Sequence, residues 1–280
     1  MSYNTILVCL ASSEAAKQIL PTACSIARTF GAHLIGTHTM EALVLYPGIA
    51  MHIDAPIFQA FNDRQKAEDE KLHLMFEAAV GGDDIFWEWR SLPAMSPHAS
   101  GQLVQLALRA DLVIVAQPDR EYERQDQHGM QRDLIMRSGR PTLIIPPNYT
   151  ARSPGKTITL AWNATRESAA AIHGGMPFLS AADRVNVLTV QTQHRHGIDQ
   201  STEGHEISKL LARHDVMVEV VHVEQSKSSI GEQILHEAKI SSSDLIVMGA
   251  YGHSRAHNFL FGDATDYILN QSDLPVLLSN

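Results

Sequence analysis

The sequence predicts an α/β protein of two doubly wound, five-stranded parallel-sheet domains in tandem, and three observations carry that expectation. Short apolar runs alternate with amphipathic stretches along the whole chain, the pattern of strands joined by helical crossovers. The run ADLVIVAQ at 110–117, followed by GRPTLIIP at 139–146, recurs as SDLIVMGA at 243–250 followed by DLPVLLSN at 273–280. Asp111 and Pro141 are as far apart as Asp244 and Pro275 to within one residue, so the chain is a doubled unit.

In chain order, TILVCL (5–10) reads as the first strand and runs into a helix ending at Phe30. HLIGTHT (33–39) is the second strand. A segment without a counterpart in the second half follows, LVLYPGIAMHIDAPIFQAF (43–61), an insertion of roughly 19 residues by the offset between the repeats. Its stripe of Leu43, Leu45, Tyr46, Ile49, Met51, Ile53, Ile57 and Phe58 suits core packing, a pocket cover or an interface equally. The charged NDRQKAEDEKLHLMFEAAV is helix-prone, IFWEWRS (85–91) is the third strand, and SGQLVQLALRA sets Leu103, Leu106 and Ala107 on one helical face. The fourth strand is LVIV and the fifth, led by Pro141, is TLII.

The second half repeats this order: TITLAW (157–162), a helix ending near Leu179, VNVLTVQT (185–192), VMVEVVHVEQ (216–225), then SIGEQILHEAKI with Ile234, Leu235 and Ala238 on one face. Strands four and five are the apolar runs after Asp244 and Pro275. PPNYTARSPGK (146–156) reads as an interdomain linker, dividing the chain into domains at 1–147 and 156–280.

Composition narrows the function. With 44% apolar and 19% charged residues the chain is a cored, soluble type. A formal charge of −9 with scattered basic residues would repel nucleic acid and anionic membranes, so neither is an expected partner. The opening MSYNTILVCL has no basic n-region or long apolar h-region, and the expectation is a cytoplasmic protein. Cys9 and Cys24 alone make neither a disulfide framework nor a cysteine zinc site, and the expectation is buried, reduced thiols. His194-Arg195-His196 is read as part of a polar loop rather than a metal site. Gly155-Lys156-Thr157 spells the end of a phosphate-binding loop, but Thr150 stands where its first glycine belongs and a strand follows instead of a helix.

The stretch with chemical promise is GAYGHSRAHNFLFGDAT, residues 249–265. Gly249, Gly252 and Gly262 make G-x2-G-x9-G directly behind the fourth strand, with a helix expected from just after Gly262. Ligands of open α/β sheets sit at the carboxyl ends of strands where the strand order reverses, and glycine lets backbone N–H groups approach an anion at a helix N-terminus.

These features resemble the universal stress protein family, specifically its members with two such domains in one chain. The resemblance covers nearly the whole sequence and rests on the glycine spacing, the Asp-Leu-Ile-Val entry into strand four and the Pro-Val-Leu-Leu last strand. It implies the adenine nucleotide alpha-hydrolase-like fold and a regulatory protein that binds ATP or another adenine nucleotide, with Mg²⁺ as a candidate companion, rather than an enzyme. The positions that correspond to the ribose and adenine contacts are Asn163 and Val190. The phosphate loop corresponds to Gly249, Gly252 and Gly262, with Met248, His253, Asp263, Ala264 and Thr265 flanking them. Ser254 and Arg255 add polar groups that could meet an anion.

This sequence departs from the nucleotide-binding pattern in three places. Asn163 replaces an aspartate, and its amide still hydrogen-bonds a hydroxyl. Asp263 replaces serine or threonine, and a carboxylate about 5 Å from a phosphate opposes it by on the order of 3 kcal/mol at an effective dielectric of about 20. Mg²⁺ between the two would reverse that sign, while Asp263 with Asp266 also makes an acidic first turn of a helix. In the first half Ala116, Asp119 and Ala11 stand at the positions of Gly249, Gly252 and Asn163, so the reading is a site in the second half beside a degenerate first half. The alternatives are a non-nucleotide interaction or small-ligand protein working through the 43–62 insertion, or a weak ATP hydrolase. The family also pairs last strands across domains, which implies that Thr142–Ile145 and Val276–Leu278 join the halves as an internal pseudo-dimer, and leaves room for a homodimer of chains.

Overall fold

The computed structural model describes residues 2–40, 55–82, 84–93, 100–118, 127–151, 153–191, 200–225, 228–252 and 262–280. The first half holds strands β1 (Thr5–Cys9), β2 (His33–Thr39), β3 (Trp87–Leu92), β4 (Leu112–Ala116) and β5 (Thr142–Ile145). Its helices are α1 (Ser13–Phe30), α2 (Ala55–Val80), α3 (Ser100–Ala107) and α4 (Gln127–Arg137). The second half holds β6 (Thr157–Ala161), β7 (Arg184–Gln191), β8 (Val218–Glu224), β9 (Leu245–Gly249) and β10 (Val276–Ser279), with α5 (Arg166–Ala181), α6 (Gln200–Ala212), α7 (Ile230–Ile240) and α8 (Gly262–Gln271).

All ten strands lie in one sheet, in the order β3-β2-β1-β4-β5-β10-β9-β6-β7-β8. Pairing is parallel within each half. It is antiparallel at the join, where Val276, Leu277 and Leu278 of β10 oppose Ile144, Leu143 and Thr142 of β5. Strand order reverses between β1 and β4 and again between β6 and β9, so each half has its own switch point.

The central strands are apolar without alternation because helices cover both faces of the sheet. One face packs Ile19 of α1, Phe76 of α2, Ile172 of α5 and Leu211 of α6 into a single cluster. The other packs Leu103 of α3, Leu134 of α4, Ile234 of α7 and Ile268 of α8. Both clusters draw on both halves, so the halves share their cores. Near the join Tyr3 donates to the Gly174 carbonyl at 2.7 Å, and the Phe30 and Phe178 rings meet edge to face with centroids 5.4 Å apart.

Two features of the repeat acquire a physical reason. Asp111 accepts the backbone N–H groups of Asn4 and Thr5 at 2.9 Å, and Asp244 accepts those of Gly155, Lys156 and Thr157 at 3.0, 3.1 and 3.0 Å. Each aspartate thus ties the start of its own half's first strand to the start of its fourth. The Gly155-Lys156-Thr157 run is the cradle of a carboxylate within the fold, with Gly155 at φ +105°. The junction also differs from a free linker, because Tyr149 packs on the first core cluster and Ser153 hydrogen-bonds Ser25 across the halves at 2.7 Å.

Most of the insertion stripe, residues 43–54, lies outside the described residues, as does His194-Arg195-His196. The rest of the insertion is the first two turns of α2, where Ile57 is exposed. Further along α2, Phe76 is buried against β2, and Gly36 is required there, since a Cβ would stand 2.8 Å from the Phe76 and Trp89 rings. Among the described residues no helix is long and apolar enough to cross a membrane, and no group of three or more His, Cys, Asp and Glu is placed to hold a metal ion.

Cys24 is buried between α1 and α2, its thiol donating to the Ala79 carbonyl at 3.6 Å, and both cysteines are free. Burial pushes the Cys24 thiol up from 9.0 to about 11. The folded state therefore holds a proton that the unfolded chain releases at lower pH. This contribution is complete below pH 9.0 and is lost as pH climbs to about 11. Denaturant titrations at both ends of that window should show wild type losing roughly 2 kcal/mol more than Cys24→Ala.

Candidate functional site

In the second half the switch point is made by the ends of β6 and β9, where Ala161 and Met248 are paired. Beyond β6 come Trp162, Asn163 and Ala164, the last at φ +54°, and then Thr165, the N-cap of α5. Thr165 and Ser168 form a capping box, each side chain accepting the other's backbone N–H. Asn163 Oδ1 accepts from the Thr165 hydroxyl at 2.8 Å, which sets the amide at the mouth of the switch point. Val190, near the end of β7, is half-buried on the second core cluster.

The chain beyond β9 folds back on α5. A Cβ on Gly249 would stand 2.6 Å from Glu167 C and Ser168 N, so this glycine is demanded by the close approach of the α5 N-terminus. A Cβ on Gly252 would instead meet the Glu167 carboxylate, at 3.3 Å. Between them Tyr251, at φ +49°, donates its N–H to Thr265 Oγ1 at 3.4 Å and its hydroxyl to Asp266 at 3.1 Å. Burial and the Asp266 charge push its phenol up. The Arg132 guanidinium of α4, from the first half, lies 5.5 Å from the centre of the Tyr251 ring. Helix α8, described from Gly262, buries Ala264 and Thr265. Met248 is buried between β6 and β10. His253, Ser254 and Arg255 lie outside the described residues, as does the side chain of Asp263.

The residue that sequence reasoning missed is Glu167. It is 4% exposed at the second position of α5, with Arg166 Nη2 3.3 Å from its Oε1. Its local sequence is that of an ordinary acidic first turn, and only the fold brings its carboxylate beneath Gly252. The backbone around Gly252 and the N-terminus of α8 suit a phosphate. The Glu167 carboxylate suits one only with a cation between them, the manner in which Mg²⁺ joins one or two carboxylates to substrate phosphates.

The first half uses the same positions differently. Ala116 replaces Gly249, and Glu14, the counterpart of Glu167, is exposed and paired with Lys17 at 2.8 Å. A cavity of about 360 Å³ opens at this switch point, lined by Cys9, Ser12, Lys17, Val115, Ala116 and Gln131 among others. Gln131 is 7% exposed, and its Nε2 has no partner among the described residues. The first-half switch point therefore holds a cavity that the sequence did not announce.

Comparison with known proteins bears on this geometry. Residues 156–280 match the model of the Universal stress protein family. Over the whole chain the fold is similar to that of a universal stress protein from Archaeoglobus fulgidus, with a TM-score of 0.72 at 11% identity, covering 99% of this chain and 96% of that one. It is also similar to a functionally unknown protein from Pseudomonas aeruginosa, with a TM-score of 0.59 at 16% identity, covering 99% and 92%. An uncharacterized protein of Schizosaccharomyces pombe is 33% identical over 73 residues, and the matched region spans 12% of that protein's length. The chain is thus a tandem of two copies of one α/β fold, of which residues 156–280 match the Universal stress protein family.

Proposed function

We propose that the protein is a cytoplasmic, stress-related regulatory protein that takes an adenine nucleotide with Mg²⁺ at the β6–β9 switch point and acts by binding rather than turnover. The observation that carries this reading is the setting of Gly252, which follows the switch-point end of β9, stands beside the Glu167 carboxylate, and neighbours Tyr251, whose N–H reaches Thr265 of α8. In this reading Asn163 and Val190 meet the nucleoside, and Met248, Gly249, Ala264 and Thr265 shape the loop. Glu167 and Asp263 meet the phosphates through the cation, and His253 lies along the connection.

Calorimetric titration with ATP, with and without Mg²⁺, tests it. Wild type should bind with Mg²⁺ and bind at least about tenfold more weakly without it, the scale of one charge-assisted contact. Glu167→Gln should erase most of that difference, and Gly252→Val should abolish binding by filling the approach. Absence of binding under both conditions refutes the reading. Binding that ignores Mg²⁺ and Glu167→Gln removes the cation from it.

The first-half cavity favours a second reading, a small uncharged ligand held there with an acceptor facing Gln131. That site would survive Gly252→Val.

A further inference from the structure

A second cavity lies near the amino ends of the strands, away from the switch points, between the sheet face of β6, β7 and β8 and the end of α7. Its volume is about 310 Å³, and its lining includes Thr159, Arg184, Asn186, Glu219, Glu237 and Ser241.

The repeat supplies an internal control. Thr159, Asn186 and Glu219 stand side by side in the register of β6, β7 and β8, where β1, β2 and β3 have Leu7, Ile35 and Glu88. Leu7 and Ile35 are buried in the apolar core. Thr159 and Asn186 are just as buried, at 1% and 3% exposure. One backbone frame therefore accepts an apolar pair in one half and buries a hydroxyl and an amide in the other.

Burying polar groups costs stability unless each finds a partner. The hydroxyls do: Thr159 Oγ1 and Ser243 Oγ are 2.8 Å apart, Ser243 and Ser241 are 2.9 Å apart, and Ser241 donates to the Glu237 carbonyl at 2.8 Å. Asn186 does not, for its Nδ2 has no partner among the described residues. At the mouth Arg184 Nη2 donates to the Ser241 carbonyl at 3.2 Å, which holds the guanidinium there with further N–H groups to offer. Glu219 is exposed, and Glu237 accepts from Gln233 at 3.2 Å.

We propose that this cavity is a binding site for a free α-amino acid. A lone anion would face the Glu219 and Glu237 carboxylates. A lone cation would face Arg184 and leave the Asn186 amide without an acceptor. A zwitterion answers both sets: its carboxylate takes hydrogen bonds from Asn186 and Arg184, and its ammonium gives them to Glu219 and Glu237. The volume is at the small end of ligand pockets, as a ligand of that size requires.

The test is calorimetry and thermal shift on the full chain with each of the common amino acids, beside its N-acetyl and its carboxamide derivative. At least one amino acid should bind, with both derivatives at least about tenfold weaker, the worth of a charged hydrogen bond. Asn186→Leu, which restores the apolar character of Ile35 in the first half, should fold with an unchanged or higher Tm and lose the binding. Glu219→Gln, on the exposed rim, should weaken binding about tenfold and decides the matter if Asn186→Leu does not fold. Saturating ATP should not compete. The proposal is overturned if no amino acid binds at millimolar concentration, or if binding survives blocking of either charged end or Glu219→Gln.

Discussion

Gly249→Ala is expected to cost about 3 kcal/mol, at the upper end of overpacking penalties, while its neighbour Gly252→Ala costs under about 1 kcal/mol. The two glycines look alike in the sequence, but their surroundings differ in kind. The alanine Cβ at 249 would stand 2.6 Å from Glu167 C and Ser168 N, atoms of the first turn of α5 that are held by the Thr165–Ser168 capping box. Relief requires moving the helix off Met248 and Gly249, which opens the core beneath it. At 252 the Cβ meets the Glu167 carboxylate at 3.3 Å, the far end of a flexible side chain that needs to give by only a few tenths of an ångström. Denaturant midpoints of the two variants against wild type measure the difference. Equal midpoints would mean that α5 does not close on β9, and that Gly249 is as free to serve a ligand as Gly252.

That contrast shows how far the sequence was legible. The strands were, because an apolar run bounded by turn residues needs no knowledge of its neighbours: HLIGTHT was read at the limits that β2 has. The repeat made the topology legible too, since Asp111 and Asp244 mark equivalent points and their carboxylates prove to tie equivalent strands together. That a helix follows the third glycine was legible too, and α8 carries it through Gln271. The character of the site was not legible. Glu167 lies more than eighty positions before Gly252, in a turn that reads as simple capping, and only the parallel register of β6 and β9 sets the two together. The first-half cavity and the Asn186 pocket escaped for the same reason, as both are spaces between elements whose sequences are individually ordinary. The junction at 146–156 was read as a linker from its prolines and polar residues, a local signal that says nothing of Tyr149 packing into the core.

Leu277→Asp is expected to unfold both halves together, with a loss above about 4 kcal/mol, because it buries an unpaired carboxylate at their shared centre. Leu277 is fully buried in β10, opposite the equally buried Leu143 of β5, and its Cδ2 would touch a Cβ at Gly175 at 3.1 Å. The absence of a side chain at Gly175 lets α5 settle directly over the join. The cluster that contains Leu277 runs without a break from Tyr3 and Ile6 in the first half to Val185 and Leu211 in the second. Disruption there removes a face of the core from both halves, and neither keeps a complete core of its own. The corresponding test on the wild type is native-state hydrogen exchange. Amides of β1 and of β6, the central strands of the two halves, should exchange with the same opening free energy, that of global unfolding. The milder Leu277→Ala, expected to cost about 2–5 kcal/mol, should lower both values equally. Unequal values in the wild type, or a first half that stays protected when Leu277 is replaced, would mean that the halves fold as separate domains held only by the hydrogen bonds between β5 and β10.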